Sequence, residues 1–227
     1  DFISQVADRM VSYLQASSKP GKVAHPMPYE SFSKTTEVKL PLQGNGMDSV
    51  LDDIDAYLLA CVKTNRAEFM NPLWGGINTA GLAGEIIATL TNTSMYTYEL
   101  APFATLIEQT LLQRMAELVG FNEGSGTLTT GGSNGNMLGM LCARQVMVPN
   151  STSSGIDGTK MIAYVSKEAH YSVLMAANVI GIGHRNLVKV ACDDDGRMRA
   201  DALRDEIARS KRNGDLPFCV VSTAGTT

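Results

Sequence analysis

Apolar residues recur at every fourth position at the front of the chain, which predicts an amphipathic helix over residues 2–15. Residues 17–46 are rich in proline, glycine and serine and show little periodicity, so we expect an extended arm there. Asp48 or Ser49 is a suitable cap for a second helix that runs to about Phe69. The apolar face predicted for this helix contains Leu51, Ile54, Leu58 and Val62.

Two more helices are predicted before the first strand. One covers residues 82–90, and the other begins at Pro102, a favourable first-turn residue, and ends at Gly120, a favourable C-terminal cap. Strands and helices then alternate. Strands are predicted near residues 126–130, 161–166, 187–191 and 217–222, with helices near 135–147, 170–180 and 200–212. Apolar strands separated by helical segments of this length predict an α/β fold whose parallel sheet carries crossover helices on its faces.

The most informative segment is the glycine turn Thr-Gly-Gly-Ser-Asn-Gly-Asn at residues 130–136. A strand that passes through glycines into a helix leaves backbone N–H groups unpaired at the positive end of the helix dipole. Gly131, Gly132 and Ser133 are therefore candidates for binding a phosphate or another anion. A purely geometric role for the glycines stays open. The dinucleotide and nucleotide-triphosphate loop patterns are both absent from this segment.

Two further candidates follow predicted strands, at the edge of a parallel sheet where ligands bind. His170 comes after the strand near 161–166 and precedes a helix, where an imidazole suits stacking on an aromatic ligand or proton transfer. A helix-capping or surface role is the alternative. Residues 223–227 are small or carry hydroxyls, as a close approach to a ligand requires, although such loops are also common connectors.

Composition narrows the classes of function. The 227 residues are 44% hydrophobic and 19% charged, as in ordinary globular chains. A net charge of -4 without a basic cluster argues against a nucleic-acid partner, and no apolar run approaches the roughly 20 residues of a membrane span. The cysteines are widely spaced, which favours reduced thiols and a cytoplasmic location; they are Cys61, Cys142, Cys192 and Cys219. No residue spacing supports metal ligation, and the acidic run at 193–196 is typical of a solvated turn.

Six segments in a fixed order resemble the pyridoxal-phosphate-dependent group II amino-acid decarboxylases. The resemblance is greatest to the glutamate and cysteine-sulfinate decarboxylase branch, and it extends over residues 71–227. The segments are Thr-Asn-Thr-Ser-Met-Tyr-Thr-Tyr-Glu-Leu-Ala-Pro at 91–102, Gly-Gly-Ser-Asn-Gly-Asn at 131–136, Ala-His-Tyr-Ser at 169–172, Gly-Ile-Gly at 181–183, Gly-Arg-Met at 196–198 and Thr-Ala-Gly-Thr-Thr at 223–227. Each segment is weak evidence by itself, but the ordered set is specific.

The resemblance implies a fold, a cofactor and a partner. The fold is the large domain of the aspartate-aminotransferase type, with a mainly parallel sheet, and the cofactor is pyridoxal 5'-phosphate. Residues 1–46 would form an N-terminal helix and arm, and residues 47–227 the front part of the cofactor-binding domain. A homodimer with shared active sites is implied, as is a small amino-acid substrate.

The resemblance also implies roles for single residues. Gly131, Gly132 and Ser133 would hold the cofactor phosphate, and His170 would stack on the pyridine ring as the catalytic residue. Thr227 would lie beside the ring. The residues implied on the substrate side are Asn71, Ser94 and Tyr96.

Two departures from the family pattern bear on activity. The family's Schiff-base lysine, and the aspartate that pairs with the pyridine nitrogen, are expected downstream of Thr227. We therefore expect the chain to be the front part of a longer protein and to be inactive alone. Glutamate decarboxylases carry a glutamine where this chain has Pro72, which offers no side-chain donor for a substrate carboxylate.

The predicted activity of the complete protein is the decarboxylation of an acidic amino acid, namely glutamate, aspartate or cysteine sulfinate. Two alternatives stay open. One is another enzyme of the same cofactor and fold, an aminotransferase or a carbon–carbon lyase. The other is a non-catalytic fragment or paralogue that acts in dimerisation.

Overall fold

A computed structural model of the chain describes residues 1–36, 38 and 41–225. The chain divides into two compact units, Asp1–Ile107 and Glu108–Thr227. The helices are α1 (Phe2–Ser17), α2 (Tyr29–Thr35), α3 (Met47–Ala60), α4 (Thr79–Thr91), α5 (Pro102–Leu118), α6 (Gly132–Met147), α7 (Ser151–Ser154), α8 (Ser172–Val179) and α9 (Ala200–Arg212). The strands are β1 (Met161–Ser166), β2 (Leu187–Val190) and β3 (Leu216–Val221), and a 3-10 turn covers His184–Asn186.

The first unit is helical within the described residues. The predicted face of α1 is half-buried, and the helix packs on α3, whose Leu51 is buried. Asp1 caps α1 by accepting a hydrogen bond from the backbone N–H of Ser4. Arg9 of α1 forms a 2.9 Å ion pair with Asp55 of α3. The helix predicted from the periodicity at the chain front is thereby confirmed.

The second unit contains a parallel sheet with the strand order β2-β1-β3. All six residues of β1 are buried, which is the pattern of a strand covered on both faces. Its β-branched and aromatic residues, Ile162, Tyr164 and Val165, suit such a strand. The α/β class with a parallel sheet, predicted from the alternating elements, is confirmed.

Alternate residues of β1 belong to two separate cores, as the two-residue period of a strand requires. Met161, Ala163 and Val165 join the core that includes Met140 of α6 and Ala177 of α8. On the other face, Ile162 and Tyr164 pack with Val190, against Leu203 and Ile207 of α9. Burying a valine or isoleucine side chain contributes roughly 1.5–3 kcal/mol. These contacts fix β1 and place its carboxyl end beside α8.

Some predicted elements are wrong in extent. The helix expected to reach about Phe69 ends at Ala60, because the next residue, Cys61, has an extended backbone with ψ of 142°. The expected arm contains the short helix α2. Residues 126–130 form no strand, since they pair with none of the described strands. None of the helices in the described part of the chain has the length and apolar character needed to cross a bilayer.

Candidate functional site

The glycine turn leads directly into α6. Gly131 has φ of 115°, a backbone conformation that glycine adopts without strain, and the helix begins at Gly132. The carbonyl of Gly131 accepts hydrogen bonds from the backbone N–H groups of Asn134 and Gly135, each at 3.1 Å. The Thr129 hydroxyl, which precedes the turn, also donates a hydrogen bond to this carbonyl at 3.1 Å.

This arrangement leaves donors free at the start of α6. Within the described residues, the backbone N–H groups of Gly132 and Ser133 have no acceptor, and both residues are exposed. A Cβ added at Gly131 or Gly132 would meet no described atom within 4 Å, so the turn is open to an approaching group. Free donors at the positive end of a 16-residue helix dipole suit an anion. The start of α6 thus offers free donors, and the anion site at Gly131, Gly132 and Ser133 stays a prediction.

His170 lies between the carboxyl end of β1 and the start of α8, as the sequence predicts. Its side chain is exposed, and its ring centroid is 4.3 Å from that of Tyr171, with the two planes tilted by 38°. The imidazole Nδ1 lies 2.8 Å from the Ser172 hydroxyl and accepts the backbone N–H of Ser172 at 3.2 Å. One nitrogen of the ring is thus bound to the start of α8, and the other has no hydrogen-bond partner among the described residues.

Asn136 and Ser172 connect the two candidate sites, and the sequence arguments assigned neither of them a role. The Asn136 Nδ2 donates to the Ser172 hydroxyl oxygen at 2.9 Å, so the first turns of α6 and α8 are joined by a side-chain hydrogen bond. Ser172 is 2% exposed. The two residues are 36 positions apart, and no local sequence pattern indicates such a pair.

A cleft of about 470 Å³ lies at the carboxyl ends of β1 and β3. Its lining consists of polar and small residues, namely Ser166, Glu168, Asp195, Gly196, Arg197, Met198, Ser222, Thr223 and Gly225. Thr223 and Gly225 of the predicted segment 223–227 therefore border a concave site, whereas His170 and the Gly131 turn are not among the lining residues. Thr226 and Thr227 lie outside the described residues.

The acidic run at 193–196 forms a hydrogen-bonded turn. Asp193 accepts backbone N–H groups from Asp195 and Arg197 on its Oδ1, at 3.1 and 2.8 Å. Arg197 also forms a 3.1 Å ion pair with Asp195. These carboxylates are used within the turn and at the rim of the cleft.

The predicted substrate-side residues lie in the first unit. The Asn71 Oδ1 accepts the backbone N–H of Leu73 at 2.8 Å, which folds the chain around Pro72 and leaves the amide N–H₂ of Asn71 as the donor. Ser94 and Tyr96 are exposed in the turns between α4 and α5, with Tyr96 88% exposed. The exposed hydroxyls of Ser94 and Tyr96 and the half-buried amide of Asn71 are able to bind a polar ligand.

The chain is similar to several known proteins. A family model described as "Pyridoxal-dependent decarboxylase conserved domain" matches residues 29–227. The mouse protein "Acidic amino acid decarboxylase GADL1" is 35% identical over 215 residues, which are 94% of this chain and 39% of that protein. Mouse "Cysteine sulfinic acid decarboxylase" is 34% identical over 228 residues, which cover 100% of this chain and 46% of that protein.

A solved structure gives the same result for the fold. The crystal structure of mouse CSAD superposes with a TM-score of 0.95 at 32% identity, and the match covers 100% of this chain and 49% of that one. The chain thus spans less than half the length of the proteins that it matches in these comparisons.

Proposed function

The chain belongs to the pyridoxal-dependent decarboxylase family, as the resemblance of its ordered segments indicates, and from this premise we propose that the complete protein decarboxylates an acidic L-amino acid. The prediction that the cofactor is pyridoxal phosphate is confirmed by the family match. The products of the proposed reaction are carbon dioxide and the corresponding amine.

The start of α6 is the observation that carries the proposal. Gly131 turns the chain, and the N–H groups of Gly132 and Ser133 are left free at the positive end of the helix. These donors fit the phosphate of the cofactor, and the Ser133 hydroxyl is available as a further donor. Such donors favour a ligand with a phosphate over an uncharged ligand.

His170 is proposed as the residue that stacks on the pyridine ring. Its imidazole is exposed, and Nδ1 is held by the start of α8, so the ring plane has a fixed support. When bound, pyridoxal phosphate supplies the electron sink that decarboxylation needs. An oriented imidazole beside the sink contributes by holding the reacting groups in one geometry. The Nε2 of the same ring is proposed as the atom that exchanges a proton with the ligand.

An acidic substrate is favoured by the relatives' names and by the polar groups of the first unit. Asn71, Ser94 and Tyr96 are proposed to contact it, with the free amide of Asn71 donating to a carboxylate or sulfinate. Pro72 supplies no side-chain donor, which favours cysteine sulfinate or aspartate over glutamate. Thr227 stays a predicted neighbour of the ring.

We also propose the assembly and organisation implied by the resemblance. The complete protein would be a cytoplasmic homodimer with shared active sites. Residues 1–46 would form the N-terminal helix and arm, and residues 47–227 the front part of the cofactor-binding domain.

The direct test uses the complete protein with pyridoxal phosphate and three substrates: glutamate, aspartate and cysteine sulfinate. Release of carbon dioxide with the matching amine is expected. A keto acid in place of the amine would indicate an aminotransferase, and the absence of both cofactor retention and turnover would reject an enzymatic role. The variant His170→Ala should lose turnover far more than it loses cofactor retention. Unchanged turnover would show that His170 has no role in the mechanism.

A further inference from the structure

Ser172 lies between the two halves of the candidate site and contacts both of them. Its hydroxyl oxygen is 2.9 Å from the Asn136 Nδ2 on α6 and 2.8 Å from the His170 Nδ1. The residue is 2% exposed, whereas the His170 ring that it holds is exposed. A buried hydroxyl therefore anchors an imidazole that would otherwise rotate in solvent.

Each hydrogen bond among Asn136, Ser172 and His170 has a defined donor and acceptor. The backbone N–H of Ser172 only donates, so the His170 Nδ1 that receives it at 3.2 Å carries a lone pair, and the ring proton is on Nε2. The amide of Asn136 donates to the Ser172 oxygen. The hydroxyl hydrogen of Ser172 is then left to donate to the same Nδ1.

We propose that Asn136 and Ser172 are positioning residues that set the tautomer and the ring orientation of His170. This inference rests on the proposed function, since it concerns the imidazole assigned to the cofactor ring. Asn136 belongs to the first turns of α6, whose start is assigned to the phosphate. The same hydrogen-bonded chain therefore ties the phosphate-binding end of the site to the ring-stacking end.

Tyr171 does not replace this network. Its ring contacts the imidazole at a centroid distance of 4.3 Å, with a tilt of 38°, and this contact selects neither nitrogen. Hydrogen-bond donors directed at Nδ1 favour the tautomer of a neutral imidazole that carries its proton on Nε2. The network thus determines which ring nitrogen of His170 carries the proton.

The test measures the reactivity of His170 in the complete, cofactor-free protein with diethyl pyrocarbonate, which acylates the imidazole nitrogen that bears the lone pair. In the native protein this lone pair is engaged by two donors, so slow modification is expected. Ser172→Ala removes the hydroxyl donor and should accelerate modification about five-fold, as the loss of one hydrogen bond implies. Ser172→Thr keeps the hydroxyl and should restore the native rate.

Asn136→Asp provides a second, independent variant. Its carboxylate would accept the Ser172 hydroxyl hydrogen and draw it away from Nδ1, so the rate should rise as in Ser172→Ala. The rates are read by mass spectrometry of the His170 peptide, with the His25 and His184 peptides as internal references that should not change. Should Ser172→Ala fail to fold, Asn136→Asp carries the test.

An unchanged rate at His170 in the folded variants would overturn the inference. That outcome is separate from the proposed function, which depends on cofactor retention and amine release by the native protein. In the cofactor-loaded protein, a fall in kcat for Ser172→Ala that Ser172→Thr reverses would support the positioning role. Equal kcat for Ser172→Ala and the native protein would contradict it.

Discussion

Ala163 of β1 and Cys219 of β3 are register partners in the parallel sheet, immediately after an irregularity at which Phe218 is left without a partner. Cys219 packs against the core that contains the fully buried Ala163. Burial raises the pKa of the Cys219 thiol to about 11, because the thiolate would lose its hydration there. Burial against this core thus determines the chemistry of the Cys219 side chain.

The reactivity of the cysteines follows from this burial. At pH 8, a thiol with a pKa of about 11 is roughly a hundred times less ionised than one near 9. Alkylation of Cys219 by iodoacetamide should therefore be about a hundred-fold slower than that of an ordinary thiol. Raising the pH from 8 to 10 should increase its rate by roughly the same factor, as measured by mass spectrometry of the labelled peptide.

The exposed thiol of Cys142 serves as the internal comparison, and Cys219→Ser confirms the assignment of the peptide. Similar alkylation rates for Cys219 and Cys142 at pH 8 would show that the thiol is not shielded by the sheet.

Replacement of Gly131 should weaken cofactor binding more than replacement of Gly132. An alanine at Gly131 must adopt φ of 115°, which costs about 1–3 kcal/mol and shifts the turn before α6. At Gly132 the backbone is helical and the space for a Cβ is open within the described residues. The expected loss of pyridoxal phosphate affinity for Gly131→Ala is ten-fold or more, measured by titration of cofactor absorbance in the complete protein. The matched variant Gly132→Ala should lose less, and the reverse order would argue against the Gly131 turn as the anchor.

The elements that the sequence predicted correctly are those whose patterns are local. The run from Met161 to Val165 is hydrophobic because both faces of β1 are covered, and the four-residue period of α1 matches its half-buried face. Residues 126–130 have strand-like composition but no partner among the described strands. Strand formation depends on a neighbour, and one segment of sequence does not report whether a neighbour is present.

The same distinction between local patterns and tertiary contacts applies to the candidate site. Gly131 and His170 were predictable because each follows from its own flanking residues, a glycine before a helix and a histidine after a strand. The start of α6 was predicted three residues late, because glycine has a low helix propensity and Gly132 and Gly135 nevertheless belong to the helix. The hydrogen bond between Asn136 and Ser172 was not predictable, since it depends on how α6 packs against α8.

The start of α9 should respond to acid. Arg199 donates to Asp201 through its Nε at 3.1 Å and a terminal nitrogen at 2.5 Å, and this lowers the pKa of the Asp201 carboxyl from 3.8 to about 2. Because the pKa of Asp201 is lower in the folded than in the unfolded protein, the charged carboxylate stabilises the fold above about pH 4. This contribution is lost as the pH falls towards 2. The difference in unfolding free energy between the native protein and Asp201→Asn should therefore be constant from pH 5 to 7 and shrink between pH 4 and 2.

Urea unfolding followed by circular dichroism measures this difference. Arg199→Lys is the matched control, because lysine keeps the charge but not the two-point contact, so the response should be intermediate. A difference that does not change between pH 4 and 2 would show that the ion pair forms no stabilising contact in solution.

Substrate choice should depend on Pro72. Asn71 uses its side-chain oxygen to hold the turn at Leu73, so the turn presents the Pro72 ring where a glutamine would add an amide donor. Pro72→Gln should raise kcat/KM for glutamate relative to cysteine sulfinate by roughly ten-fold, the effect expected of one hydrogen bond to a charged group. Pro72→Ala removes the ring without adding a donor and should leave the ratio near its native value. The measurement is amine formation from both substrates in competition, and an equal change in the two variants would assign the effect to the shape of the turn instead of the donor.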